Sequence, residues 1–472
     1  TLIIGPGGGW DVARALAGGS RDVTGVEINP IIARTIMQRR FAHYSRGLYN
    51  APGVRILVEE GRSFVRRSRE RYQVIQATLV DTWASTAAGA YALSENNLYT
   101  SDAFCDYLSR LTDDGILAFT RWGVEPPRES LRLLSLARAA LLRLGEREAW
   151  RHVIVVREGE SSDARSWGAM DTVVIARRPF SDEDLARAQA AISAAGFQTI
   201  YLPGEIHSNP FTELLQGKDL RSFEDSYPYN IRPVTDDRPF FFYTVQPRDF
   251  GKFLSYFFRG EKPSGSLADF QLNMAVPVML GLLVISLAAT GIILALPPLM
   301  LGARLPRDRG VLAFLLYFVS IGAGYILIEV ALIQRFVLFL GHPTYALTVI
   351  IFSMLVASGA GSYFSRRVVG LSRARLCGMM VLVALAVALL GMAVGPVTEA
   401  GVGWPPWLKV ALTVGMIAPP AFFMGMPLPT GLSMLELRHK PSVKWAWALN
   451  SASSVLGSVS AIFLAIYAGL HR

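Results

Sequence analysis

The chain has 472 residues, 51% of them hydrophobic, and a formal charge of +9. Residues 264–472 hold 13 Lys/Arg and 5 Asp/Glu, while residues 1–263 hold 33 and 32. The basic excess therefore lies in loops between apolar runs, which points to membrane topology and away from nucleic-acid binding. The two cysteines, Cys105 and Cys377, are far apart and of unlike setting, which excludes a disulfide framework and a cysteine-built zinc site.

A strand at Leu2–Gly5 runs straight into Gly5-Pro-Gly-Gly-Gly9 and a helix near Trp10–Ala17. With no initiator Met or leader ahead of that strand, the chain reads as part of a longer protein. Further strands are expected at Asp22–Val26, Val54–Val58, Tyr72–Ala77 and Ile116–Arg121, with helices near Pro30–Arg40 and Asp102–Leu111. Such alternation predicts a parallel sheet covered on both faces, a Rossmann-like α/β fold. A helix over 128–144, strands at His152–Arg157 and Asp171–Ala176, and a helix at Ser181–Ala194 complete a domain over 1–202. Residues 203–263 lack a period and are expected as a connecting segment packed on that domain, with Asp236-Asp237-Arg238 either a cation site or an internally paired turn.

Residues 264–472 are expected to form an all-α membrane domain of about six spans: Ala275–Leu296, Val311–Ile333, Thr344–Ser365, Leu376–Thr398, Val410–Leu435 and Trp445–Leu470. Only Glu329 interrupts the second; within hydrocarbon it is a functional candidate, with Arg335 as a possible partner, and near the surface it is merely solvated. Pro419, Pro420, Pro427 and Pro429 break the fifth span, and Gly359, Gly361 and Gly457 permit close helix packing. Ten basic residues in the loops after spans one, three and five oppose three elsewhere, which places those loops in the cytoplasm and the N-terminal domain outside. A nucleotide-using domain belongs in the cytoplasm, so the charge rule and the expected chemistry disagree on sidedness.

The Gly-rich loop carries the first chemical signal. Gly5, Gly7 and Gly9 let the backbone turn tightly and approach a ligand at a helix N-terminus. Trp10 stands where a dinucleotide fingerprint needs glycine, so the spacing fits an S-adenosylmethionine-type G-x-G-x-G loop instead. Glu27, ending the second strand, is placed for ribose hydroxyls, and Glu60, before Gly61, for an adenine edge. Asp81 follows strand four at the carboxyl edge of the sheet, where it either holds and deprotonates an amine or caps a turn. Glu95, Asn96, Asn97 and Tyr99 either line the same crevice or cap and pack the next helix.

The segments IIGPGGGWDV, VEINP, EEGRSF, YQVIQATLVDTWAS and ENNLYTSDAF resemble the core of spermidine synthase-like proteins. Together with GYILIEVALIQRFVLFLGHPTYALTVI, TDDRPFFF and WALNSASSVLGS, the layout resembles bacterial membrane proteins in which such a domain is fused to major-facilitator-like helices. The resemblance implies a class I methyltransferase/spermidine synthase fold and a donor site for decarboxylated S-adenosylmethionine or S-adenosylmethionine, built from Gly5, Gly7, Gly9, Glu27, Glu60 and Gly61. It implies no metal, and Asp81 as the catalytic carboxylate.

Three positions depart from the family. Gly8 stands where soluble aminopropyltransferases carry Asp, Thr78 where they carry a first carboxylate, and Thr120 where a Gln is usual. The expected activity is a membrane-anchored transferase in a bacterial inner membrane, acting on a small amine or a membrane-associated acceptor, with the bilayer as partner and no nucleic acid. Two alternatives are a methyltransferase acting at the membrane and a polyamine or small-solute transporter with a non-catalytic nucleotide-binding domain.

Overall fold

The computed structural model describes residues 1–80, 95–159, 169–205, 207–249, 280–292 and 309–469. The chain divides into two compact units, Thr1–Met279 and Leu280–Arg472.

The first unit is built on one eight-stranded sheet: β1 (Leu2–Ile4), β2 (Val23–Glu27), β3 (Val54–Val58), β4 (Tyr72–Thr78), β5 (Leu111–Gly123), β6 (Val153–Glu158), β7 (Ala169–Ala176) and β8 (Gln198–Tyr201). The order is β3-β2-β1-β4-β5-β7-β6-β8, a Rossmann-like arrangement with its crossover between β1 and β4. Strands β1 to β5 pair in parallel, as the strand–helix alternation predicts. Strand β7 instead runs antiparallel to both β5 and β6, and β8 antiparallel to β6. Only ten residues separate β6 from β7. That connection is too short for the crossover a parallel pair requires, so β7 must return beside its predecessor. The bulge between Tyr72 and Val74 lets β5 begin at Leu111, earlier than its hydrophobic pattern suggests.

Helices α1 (Trp10–Ala17), α2 (Gly61–Arg67), α3 (Ser101–Ser109), α4 (Glu129–Arg143) and α5 (Asp182–Ala195) accompany the sheet. The helix expected over 30–40 forms at Ile31–Arg40, but with wider π-type winding, so that Phe41 N–H reaches the Ile36 carbonyl at 2.8 Å. Its Ala33 and Met37 face inward, and Met37 joins Ile3, Val12, Val23 and Tyr49 in one cluster. Beneath α3 and α4 lies an aromatic core in which Tyr99 stacks on Phe241 at 4.7 Å and Phe104 packs on Phe119 at 5.1 Å.

Helices α6 (Pro210–Gln216) and α7 (Leu220–Ser226) lead into a stretch without regular structure that is nonetheless pinned. Arg132, buried on α4, donates to the carbonyls of Arg232, Phe241 and Tyr243 at 3.1, 2.6 and 2.7 Å. Arg62, at the start of α2, grips Asp236 with two hydrogen bonds of 2.6 and 2.7 Å and holds Asp106 at 2.9 Å. Burial opposes both charges, yet the pairing keeps the Asp236 carboxyl below its ordinary range and the Arg62 guanidinium above its own. Asp236 therefore follows neither reading of Asp236-Asp237-Arg238, because its partners, Arg62 and Thr100, lie outside the turn.

Among the described residues of the second unit, four helical runs are long and apolar enough to cross a membrane, against six expected spans. The difference has two sources. The first expected span is described only over α8 (Leu280–Ile292), which is too short by itself. The last two fall within one 63-residue run, Pro406–Ala468. That run is jointed into α12 (Pro406–Met424), α13 (Pro427–His439) and α14 (Val443–Ala468). Before it come α9 (Arg309–Leu340), α10 (Pro343–Val368) and α11 (Arg373–Ala400). The fifth expected span is thus broken, at Gly425-Met426.

Small residues set the packing. Gly361 on α10 lies against the Phe422 backbone of α12, and Gly457 on α14 admits Ile326 so closely that a Cβ would sit 2.6 Å from its Cγ2. Asn450 donates to the Phe318 carbonyl at 3.0 Å and Ser454 to that of Gly322 at 3.2 Å, which gives the WALNSASSVLGS segment a role in joining α14 to α9. Glu329 makes no ion pair among the described residues, and Arg335 reaches instead to the Gly391 carbonyl at 2.9 Å. Six residues on a helix place two side chains about 120° apart round the axis and nearly two turns apart along it, which explains why the pairing offered by the sequence does not form.

Candidate functional site

The loop after β1 turns through three left-handed glycines, Gly5, Gly7 and Gly9, at φ 66°, 48° and 89°. Two of these positions are closed to other residues on packing grounds as well. A Cβ on Gly5 would lie 2.8 Å from the Val80 side chain, and one on Gly9 2.7 Å from Leu48 Cδ2. Gly8 differs, since a Cβ there meets nothing within 4 Å. The outer side of the turn is therefore open at the N-terminus of α1, where backbone N–H groups and the helix dipole favour electron-rich ligand atoms.

Glu27 ends β2 and is 5% exposed. Its Oε2 accepts the Gly7 N–H at 3.1 Å and its Oε1 the Asn29 N–H at 2.9 Å. Tyr49 completes the clamp by donating to the Gly7 carbonyl at 2.6 Å. Burial, with Glu27 and Asp11 nearby, pushes the Tyr49 phenol up, which keeps it a donor. The loop and Glu27, separate in the sequence, thus form one hydrogen-bonded unit. Each carboxylate oxygen retains a second lone pair.

Glu60 lies beyond β3 and is buried, and Gly61 opens α2 with its backbone tight against Ile4. The Glu60 carboxylate accepts the Arg62 and Ser63 N–H groups at 2.9 and 2.6 Å, so in this structure it caps α2. Asp81 lies outside the described residues. The strand leading to it ends at Thr78, and the next residue, Leu79, has a left-handed backbone at φ 49° and an N–H that bonds to the Thr120 carbonyl at 3.2 Å. Thr78 and Thr120 are register partners on neighbouring strands, and Thr120 bonds to Thr172 at 2.9 Å.

Around this edge the ENNLYTSDAF segment is used structurally. Fully buried Tyr99 donates to the Val80 carbonyl at 2.8 Å, Asn96 N–H bonds to the Pro239 carbonyl at 2.7 Å, and the Asn97 carbonyl accepts from Arg62 at 3.0 Å. Burial pushes the Glu95 carboxyl up to about 8.

One acidic group was not singled out from the sequence. Asp11, in the first turn of α1, is 5% exposed, and its Oδ1 has no hydrogen-bond partner. Burial raises its pKa, against side-chain hydrogen bonding to Thr78 and Gln76. Its place directly after the Gly-rich loop was the available signal. An acidic residue in a first helical turn ordinarily reads as a dipole partner, which hid it. Among the described residues no group of three His, Cys, Asp or Glu is arranged to hold a metal ion.

No family model matches the chain, and no curated protein matches it. The solved structures to which the chain is similar include spermidine synthases. One from Thermotoga maritima is 15% identical at a TM-score of 0.28, covering 39% of this chain and 54% of its own. A spermidine synthase in complex with the transition-state analogue AdoDATO is 15% identical at 0.29, with the same coverages of 39% and 54%. A probable spermidine synthase from Corynebacterium glutamicum is 17% identical at 0.30, covering 47% and 71%. The chain thus spans about half the length of the first two. At scores of this size the fold rests on the strand order itself.

Proposed function

We propose that the first unit is a spermidine synthase-like transferase, anchored to a membrane by the second, that takes an adenosyl donor of the S-adenosylmethionine class. The observation that carries this reading is the hydrogen-bonded unit of Gly7, Glu27 and Tyr49 at the β1 turn, beside the β1/β4 crossover. Ribose hydroxyls would add to the free lone pairs of Glu27, and the open side of Gly8 leaves room for the donor's chain. A sulfonium donor supplies an electrophilic carbon, so the protein has to present an amine in its neutral form. Asp81 is assigned that step: as the amine nitrogen bonds to the donor carbon, the carbon–sulfur bond breaks, its electron pair leaves with the neutral thioether, and the amine proton passes to the Asp81 carboxylate. The acceptor is a small amine or a membrane-associated amine.

Calorimetry on the full chain tests the donor. Decarboxylated S-adenosylmethionine or methylthioadenosine should bind, and Glu27→Gln should weaken binding about 10- to 150-fold, since hydrogen bonds to a charged group contribute about 1.5–3 kcal/mol. Asp81→Asn should leave binding intact and abolish transfer. Absence of binding by any adenosyl compound sinks the proposal. Preference for the carboxylated donor would move the reading to methyl transfer.

A transport reading draws on the second unit. The break at Gly425-Met426 and a cavity of about 650 Å³ bordered by Leu327, Arg335, Ala388 and Leu464 favour it. Uptake by proteoliposomes that survives Asp81→Asn but fails with Glu329→Gln would replace the transferase with a transporter.

A further inference from the structure

Six large apolar side chains are exposed among the described residues of the first unit, and five of them fall within residues 10–44. They are Trp10 (66% exposed), Ile28, Ile31, Phe41 and Tyr44 (87%). The same stretch is basic. No Asp or Glu occurs from Ile28 to Val58. Arg34, Arg39, Arg40 and Arg46 are all exposed, and none forms an ion pair among the described residues. The rest of this part of the chain is nearly balanced in charge, so the clustering is local.

Geometry makes one surface of it. The Ile31–Arg40 helix buries Ala33 and Met37 and turns its arginines outward. A Cβ on Gly9 would meet Met37 Cε at 3.3 Å, which places the start of α1, and so Trp10, against this helix. Two guanidinium groups stack on exposed rings: Arg14 over Trp10 at 4.9 Å and Arg40 over Phe41 at 5.8 Å.

We propose that this face docks on the anionic phospholipid surface of a bilayer, with its rings at headgroup depth and its arginines on the phosphates. Amphipathic aromatics beside unpaired arginines match that boundary. A second copy is a poor occupant, because a two-fold contact would set the arginines against themselves. Four helical runs of the same chain are long and apolar enough to cross a membrane, which keeps a lipid surface at high effective concentration. Trp10 and Ile28 adjoin Gly9 and Glu27, so docking brings the rim of the candidate donor site to the lipid. The proposal does not depend on what that site binds.

The test uses the full chain in nanodiscs of phosphatidylcholine alone or mixed with phosphatidylglycerol. Hydrogen exchange of residues 28–46 should be slower in the anionic discs. Brominated lipid should quench a component of tryptophan emission that Trp10→Phe removes. R39Q/R40Q should lower the protection about 30-fold, from about 1 kcal/mol per surface charge, while R39K/R40K retains it and neither alters the melting temperature. Equal protection in neutral and anionic discs would show that protein covers the face, and no protection in either would show that it is solvated. Both results overturn the proposal.

Discussion

Glycine 9 shows how much a single backbone position decides. It is left-handed and its Cα hydrogen faces Leu48, Tyr49 and Met37. Gly9→Ala should cost about 2 kcal/mol from backbone strain, and more from displacing Leu48. The outcome to measure is a lowered thermal midpoint together with weakened adenosyl binding. Glu95 gives a second residue-scale expectation. Its carboxyl titrates near 8 in the folded chain against an ordinary value of 4.5. The folded state therefore binds the proton more tightly, and its stabilisation is full below pH 4.5 and lost as pH rises through about 8. The melting temperature of the native chain should fall between pH 6 and 9 by more than that of Glu95→Gln, and parallel curves would refute the assignment. The proximity of Gly7 to Glu27 was legible from their order along the chain. The partnerless Oδ1 of Asp11 was not, because burial at that position depends on which way α1 is turned.

Periodicity located the elements of the first unit better than it described them. The eight-residue run of α1 and the five parallel strands emerge from alternation of apolar residues with punctuating glycine and proline. The π-type winding of Ile31–Arg40 does not, since its apolar residues read equally well at ordinary helical spacing. Strand β8 and helices α6 and α7 were missed because four- to seven-residue elements carry too few periods to register. In the second unit, hydropathy found the apolar runs. Mean hydropathy does not mark the joint at Gly425-Met426, but the prolines of the fifth span announce a break, and Pro427 opens the helix that follows it. The close approach of Gly361 to Phe422 follows from the missing side chain, and the sequence indicated only that such an approach was permitted.

At the scale of the whole molecule, the composition read in the sequence divides apolar spans from a mixed-charge first part, and the contacts divide at Met279/Leu280. Within the first unit, the aromatic core depends on residues far along the chain. Phe241 stacks on Tyr99, Phe242 lies 4.9 Å from the Arg121 guanidinium, and Arg132 is satisfied by carbonyls of residues 232–243. A fragment ending at Leu202 would leave Arg62 and Arg132 buried without those acceptors, at several kcal/mol each. Expression of 1–202 should give no cooperative melting transition, while 1–249 should give one. A cooperative transition in the shorter fragment would show that the aromatic segment is dispensable.

The pair formed by Arg62 and Asp236 spans 174 residues. At about 5–20 residues per second of synthesis, Arg62 leaves the ribosome roughly 10–35 s before its partner. Through that interval the nascent domain holds a cation it cannot yet bury. Helix α8, described from Leu280 on, follows Asp236 by only seconds of translation. Closure of the domain and emergence of the apolar residues that follow Leu280 therefore fall within one short window of synthesis.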